Sequence, residues 1–184
     1  MAGDLSGKKV AFLVAGEGIE QVELTEPWRA VREAGGEPVL VAPSGGEVQA
    51  FDHLDKADTF PVDVEVDAAR VDDYAGLVLP GGVANPDALR MHAGAVAFAK
   101  GFVDAGKPVA AICHAPWTLV EAGVLSGRRL TSWPSLQTDI RNAGGEWVDQ
   151  ELVVDEGPST LITSRKPDDL EAFCGAVVER FASA

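Results

Sequence analysis

Val109-Ala110-Ala111-Ile112-Cys113-His114-Ala115-Pro116-Trp117 is the stretch whose reading decides the fold. Four apolar residues in a row, without alternation, describe a strand buried on both faces, and polarity changes within one residue at Cys113. Helical spacing then runs over residues 114–122. Pro116 falls in the first turn, where its missing N–H is harmless. Cys113 therefore stands on a strand-to-helix bend, the geometry of a nucleophile elbow. Unpaired N–H groups and the positive end of the following helix favour thiolate over thiol there, lowering the pKa from ~8.5.

Outward from this stretch the same alternation continues. Residues 10–15 and 39–42 are strand-like, and 20–34 carry apolar residues at helical spacing. Leu77-Val78-Leu79 ends at Pro80-Gly81-Gly82, and one or two helices are expected over 87–105. Such strands joined by helices predict an α/β fold, a three-layer sandwich with a mostly parallel central sheet. The short segments 146–149, 152–155 and 161–164 suit antiparallel additions near one sheet edge, before a final helix over 167–181. Between 43 and 74, the Gly45-Gly46 turn and alternating Val62, Val64 and Val66 suggest a small hairpin. With no repeat, low-complexity tract or polar linker, one domain over 1–184 is expected.

Composition narrows the function classes. A chain of 184 residues with 46% hydrophobic content can bury one core. Its net charge of -14, with 29 acidic against 15 basic residues and no basic cluster, repels nucleic acid and anionic membranes. The N-terminus leads straight into a strand pattern, and no run of about 18 apolar residues occurs, so a cytoplasmic location without membrane association is expected. Two cysteines without CxxC or Cys/His ligand spacing suggest neither a disulfide framework nor a metal. Gly16-Glu17-Gly18 lacks the third glycine of a dinucleotide fingerprint, and neither a Walker motif nor Gly-x-Ser-x-Gly occurs, so no cofactor is expected.

In open parallel sheets, ligands bind outside the carboxyl ends of the strands. Three such ends carry chemistry: residues 16–20, Gly81-Gly82 and Cys113-His114. The paired glycines form either a plain turn or an approach for backbone N–H groups to an oxyanion. His114 reads as a proton carrier or as a solvated histidine at a helix start. Glu20 opens the first helix as a capping acid or as a partner for the sulfur, and Glu17 and Glu23 compete with it on spacing. Cys174 lies with Leu170, Val177, Val178 and Phe181 on the apolar face of the last helix and reads as packing. His53 and His92 read as surface residues, and Trp117 as a pocket wall or core packing.

Five stretches are similar to the PfpI-type branch of the ThiJ/PfpI superfamily, across nearly the whole chain. They are Glu20-Gln21-Val22-Glu23-Leu24, Leu77-Val78-Leu79-Pro80-Gly81-Gly82, Gly106 through His114, Ala122 through Arg128, and Asn142 through Asp149. The resemblance implies a glutamine-amidotransferase-like (flavodoxin-like) fold. It makes Cys113 the nucleophile, Glu20 the acid hydrogen-bonded to its sulfur, and the N–H groups of Gly82 and His114, beside Gly81, the anion pocket. It also implies a homo-oligomer, dimer or higher, with a shared site in which Asp87 orients His114 across a subunit interface. Ala115 departs from the usual glycine, and one extra residue separates Gly82 from Asp87. The implied activity is stress-related, cysteine-dependent hydrolysis of a peptide, an α-oxoaldehyde or a glycation adduct. A different class is a non-enzymatic oxidative-stress sensor or chaperone that uses oxidation of an exposed Cys113. A structural oligomer with a degenerate site is the third.

Overall fold

The computed structural model describes residues 3–184. In chain order, β1 (Lys9–Leu13), β2 (Glu17–Glu20), α1 (Gln21–Glu33) and β3 (Glu37–Ala42) come first. Then follow β4 (Glu47–Asp52), β5 (Asp55–Pro61), β6 (Val64–Glu65), β7 (Gly76–Leu79), α2 (Ala84–Leu89) and α3 (Ala93–Asp104). The second half holds β8 (Val109–Ile112), α4 (Pro116–Glu121), β9 (Arg129–Leu130) and α5 (Gln137–Asn142). It ends with β10 (Glu146–Trp147), β11 (Val153–Asp155), β12 (Leu161–Ser164) and α6 (Leu170–Ala182).

Seven strands form the central sheet in the order β11-β12-β8-β7-β1-β3-β6, and only β11 runs antiparallel. The side-chain period of two divides each buried strand between two cores. Ala11, Leu13, Leu77, Leu79, Val109 and Ala111 pack with Phe98, Phe102 and Leu119 of α3 and α4. Val10, Phe12, Val78, Ala110, Ile112 and Ile162 pack with Leu24 and Val31 of α1 and with Phe173, Val177 and Phe181 of α6. This is the three-layer α/β sandwich expected from the uninterrupted apolar runs, since a strand covered on both faces has no polar side.

Phe102 is fully buried and meets Phe98 edge-on, with ring centroids 5.1 Å apart. Phe102→Ala is expected to lower unfolding free energy by about 3–5 kcal/mol, read from urea denaturation. A loss below about 1 kcal/mol would contradict this packing.

Three local expectations are corrected. Segment 161–164 is not an antiparallel edge addition: β12 lies inside the sheet, parallel to β8, and all four of its residues are buried. Segment 146–149 contributes only β10, which pairs parallel with β9 in a separate two-stranded sheet. The hairpin between 43 and 74 is β4 with β5, and it turns at His53-Leu54, not at Gly45-Gly46. Its first strand pairs with β2, making a three-stranded sheet that reaches over the carboxyl end of β1. No helix among the described residues is long and apolar enough to cross a membrane.

Candidate active site

Parallel register brings the predicted strand ends together. Leu79 is level with Ala111, so the chain two residues further on sets Gly81 beside Cys113. Cys113 has φ +64°, a left-handed conformation that costs a non-glycine residue about 1–2 kcal/mol. Backbone hydrogen bonds from Cys113 N to Ser164 O (3.0 Å), Ala115 N to Ile112 O (3.1 Å) and Trp133 N to Cys113 O (2.9 Å) hold it there. The bend sets the sulfur beside the N–H groups of Gly82 and His114, both of which favour its thiolate.

Gly82 has φ +83°, and a Cβ there would strike Gly18 O and come within 2.8 Å of Glu20 N. Only glycine lets this N–H approach the sulfur. Asn85, buried and unremarked in sequence, fixes the same turn. Its Oδ1 accepts from Ala15 N (2.7 Å), and its amide donates to Pro80 O (2.9 Å) and Gly81 O (3.0 Å).

The acid at the sulfur is Glu23, which corrects the expectation for Glu20. The helix starts at Gln21, so Glu23 shares its buried stripe with Leu24, Pro27 and Val31 and points under the Gly81-Gly82 turn. Glu23 Oε2 accepts from Gly81 N at 3.0 Å, and the carboxyl also meets the Cys113 thiol and the Gly82 N–H. Oε1 is buried without a well-formed hydrogen bond. Burial, and then the nearby Glu20 charge, push the Glu23 pKa up to about 8.

Glu20 instead ends β2, and its Oε2 accepts from His53 N at 3.2 Å.

The expected low thiol pKa is likewise corrected. Burial pushes the Cys113 thiol well above its ordinary value, and the Glu23 carboxylate pushes the same way, against the two N–H bonds. The physical reason is position: Cys113 is 7% exposed, and α4 begins only at Pro116. Carboxyl and thiol form a coupled pair whose protons belong to both groups.

His114 Nδ1 lies 3.1 Å from Cys113 Sγ, and its Nε2 is 3.4 Å from Ser135 Oγ. Burial lowers the His114 pKa to about 4, so the ring is neutral at pH 7. It stacks on Trp133 (centroids 5.7 Å apart, 22° between planes). Trp133 was not legible in sequence; Trp117 also lies against His114 but is fixed by Nε1 donating to Asp139 (2.8 Å), outside the pocket lining. Asp87 is exposed on α2 and makes no hydrogen bond with His114 within the chain. Cys174 is half-buried on α6, as expected of a packing residue, while His92 caps α3 by accepting from Ala95 N at 3.2 Å.

Above the sulfur lies a cavity of ≈ 380 Å³. Phe51, Leu54, Val83, Trp133 and Pro167 give it apolar walls, and Glu20, Glu23 and His53 are its other titratable groups beside Cys113 and His114. Glu20, Asp52 and His53 at its mouth have ligating atoms within 4.8 Å of one another, the one such trio among the described residues. Asp52 and His53 are largely in solvent, with side chains 78% and 82% exposed.

A thiol on a strained strand-to-helix bend, with two N–H groups and a protonatable carboxyl on its sulfur, defines a cysteine-centred site on an open α/β sheet. Residues 8–180 match the DJ-1/PfpI family, and the chain belongs to it. It is 40% identical over 166 residues to the Protein/nucleic acid deglycase 2 of Escherichia coli strain K12, covering 90% of this chain and 93% of that one. Against the Deglycase PfpI of Pyrococcus furiosus, identity is 39% over 165 residues, covering 90% and 94%. Drosophila melanogaster DJ-1beta superposes with a TM-score of 0.84 at 28% identity, covering 96% of this chain and 91% of that one.

Proposed function

We propose that this chain is a hydrolase in which Cys113 attacks the carbonyl carbon of small electrophilic carbonyl compounds: α-oxoaldehydes and the adducts they leave by glycation. The observation that carries this reading is the Cys113 sulfur at the base of the cavity, between the Glu23 carboxyl and the Gly82 and His114 N–H groups. The deglycase names of its relatives support it.

With an α-oxoaldehyde, an Sγ–C bond forms at the aldehyde carbon, and the thiol proton passes through Glu23 to the former carbonyl oxygen. The two N–H groups that face the sulfur stabilise the charge developing on that oxygen. Two proton transfers follow, from this carbon to its neighbour and from its hydroxyl to the neighbouring oxygen, giving a thioester of a 2-hydroxy acid. Water cleaves the thioester, releasing the acid and restoring the thiol, so the net change is addition of one water. Glu23 carries the proton because its pKa of about 8 lies near neutrality, as efficient acid–base catalysis requires. Purified protein given phenylglyoxal or methylglyoxal is expected to form the 2-hydroxy acid well above the buffer rate; no acid from either compound would contradict the reading.

Burial and the raised thiol weigh on the sensor alternative as they do on nucleophilic attack. The deglycase names of the relatives favour the enzyme reading.

In a single chain His114 is a weak base, because burial disfavours its cation. A carboxylate beside Nε2 would favour that cation and strengthen the base. We assign this role to Asp87 of a second copy, in a dimer or larger homo-oligomer. Sedimentation is expected to show a dimer or more, and Asp87→Asn is expected to lower kcat about tenfold and shift its pH profile. A strictly monomeric, fully active protein would remove Asp87 from the mechanism.

A further inference from the structure

Two carboxyl side chains, Glu20 and Glu23, line the cavity, and no lysine or arginine does; Glu23 holds its proton at neutral pH, which leaves Glu20 as the charge. Arg165 and Lys166, which lead into the lining residue Pro167, are already engaged: Arg165 with Asp149 (2.7 Å) and Asp169 (2.9 Å), Lys166 with Asp168 (3.0 Å).

Glu20 differs from Glu23 in what it offers. Its side chain is 11% exposed, it receives a single hydrogen bond from His53 N, and its closest cationic group is the His53 ring at 3.9 Å. That ring stands mostly in water and is shared with Asp52, whose Oδ1 is 3.8 Å from Nε2. Glu20, Asp52 and His53 together thus leave the mouth negative in either protonation state of the imidazole. A mostly dehydrated carboxylate in an apolar cavity is a poorly compensated charge, and a cation brought beside it gains more than it would in water. Trp133 and Phe51 line the same cavity and give it aromatic surface, to which cations are attracted.

We infer that Glu20 is a specificity-determining residue that makes the cavity charge-selective: it takes carbonyl compounds pairing a flat apolar group with an ammonium- or guanidinium-like cation, and disfavours carboxylate-bearing isosteres. The inference rests on the cavity being the substrate site of the proposed hydrolase. It assigns the cationic group to the cavity mouth, between Glu20 and the hairpin tip, while the carbonyl carbon meets Cys113.

Two arms separate the inference from the reading beneath it. In the first, benzylammonium and benzoate are titrated calorimetrically into the intact protein and into Glu20→Gln, which keeps an acceptor for His53 N. Wild type is expected to bind benzylammonium at least about tenfold more tightly than benzoate, and that ratio is expected to fall about tenfold in E20Q. Equal binding of the two probes, a preference for benzoate, or an unchanged ratio in E20Q would overturn the inference. In the second arm, KM is compared for phenylglyoxals carrying a para-aminomethyl or a para-carboxylate group. The aminomethyl compound is expected to have the lower KM by about tenfold, and parity would again overturn the inference. Absence of turnover with unsubstituted phenylglyoxal sinks the hydrolase reading instead, while the binding arm still decides the charge selectivity.

Discussion

Cys113→Ser is expected to lower kcat/KM for small α-oxoaldehydes by about a thousandfold or more, with the fold intact by circular dichroism. The size follows from what the substitution removes. A serine hydroxyl on the same bend keeps the Gly82 and His114 N–H groups and the left-handed backbone, but it lacks the nucleophilicity that sulfur retains when poorly ionised. Glu23 is matched to a thiol and not to an alcohol, whose proton it cannot hold to any useful extent. Retention of more than about a tenth of wild-type turnover would contradict the nucleophile assignment.

Glu23→Gln is expected to cut turnover about a hundredfold or more, because the amide hydrogen-bonds to sulfur but cannot carry the thiol proton. The same substitution has a pH signature in stability. The folded-state pKa of about 8 lies above the ordinary value of 4.5, so folding disfavours the ionised form. The associated stability is fully present below pH 4.5 and is lost as the pH rises through 8. At about 1.4 kcal/mol per pH unit of difference, several kcal/mol are at stake, and the carboxyl is too buried for solvent to screen it. Urea unfolding at pH 5 and pH 9 is therefore expected to show wild type losing stability relative to E23Q at the higher pH. His114 acts in the opposite sense: its folded pKa of about 4 makes its contribution complete above pH 6.5 and lost as the pH falls through 4.

Why sequence led to Glu20 and the fold led to Glu23 is instructive. The two are three residues apart, nearly one helical turn, so both lie at the carboxyl end of β1 in any α/β reading. The discriminating signal was present: Glu23 interrupts the apolar stripe of Leu24, Pro27 and Val31, and a carboxylate on a buried face calls for a special partner. Cys113 was legible because polarity changes abruptly at the end of an all-apolar strand. The two glycines were legible because nothing else tolerates the turn after β7.

Trp133 and Asn85 were not legible. Trp133 lies between β9 and α5 in irregular chain, where no period assigns a face. Asn85 sits in a six-residue helix too short to show one. The hairpin was misplaced because β5, Asp55–Pro61, is exposed or half-buried throughout, so it offers no apolar face to read. β12 was misjudged by its spacing, although an all-buried Leu-Ile-Thr-Ser run belongs inside a sheet. The thiol pKa was misjudged for a related reason: the bend was evident from sequence, but the depth of its burial was not.

A buried carboxyl that holds a proton for a buried thiol is the core of the proposed mechanism, and it has a direct spectroscopic test. In protein labelled with 13C at glutamate carboxyls, the Glu23 signal is assigned by its loss in E23Q and followed from pH 3 to pH 10. The expected result is a titration midpoint near 8, moving when Cys113 is replaced by alanine. A midpoint in the ordinary glutamate range, about 4.3, would show that Glu23 is a plain carboxylate at neutral pH and would contradict the mechanism.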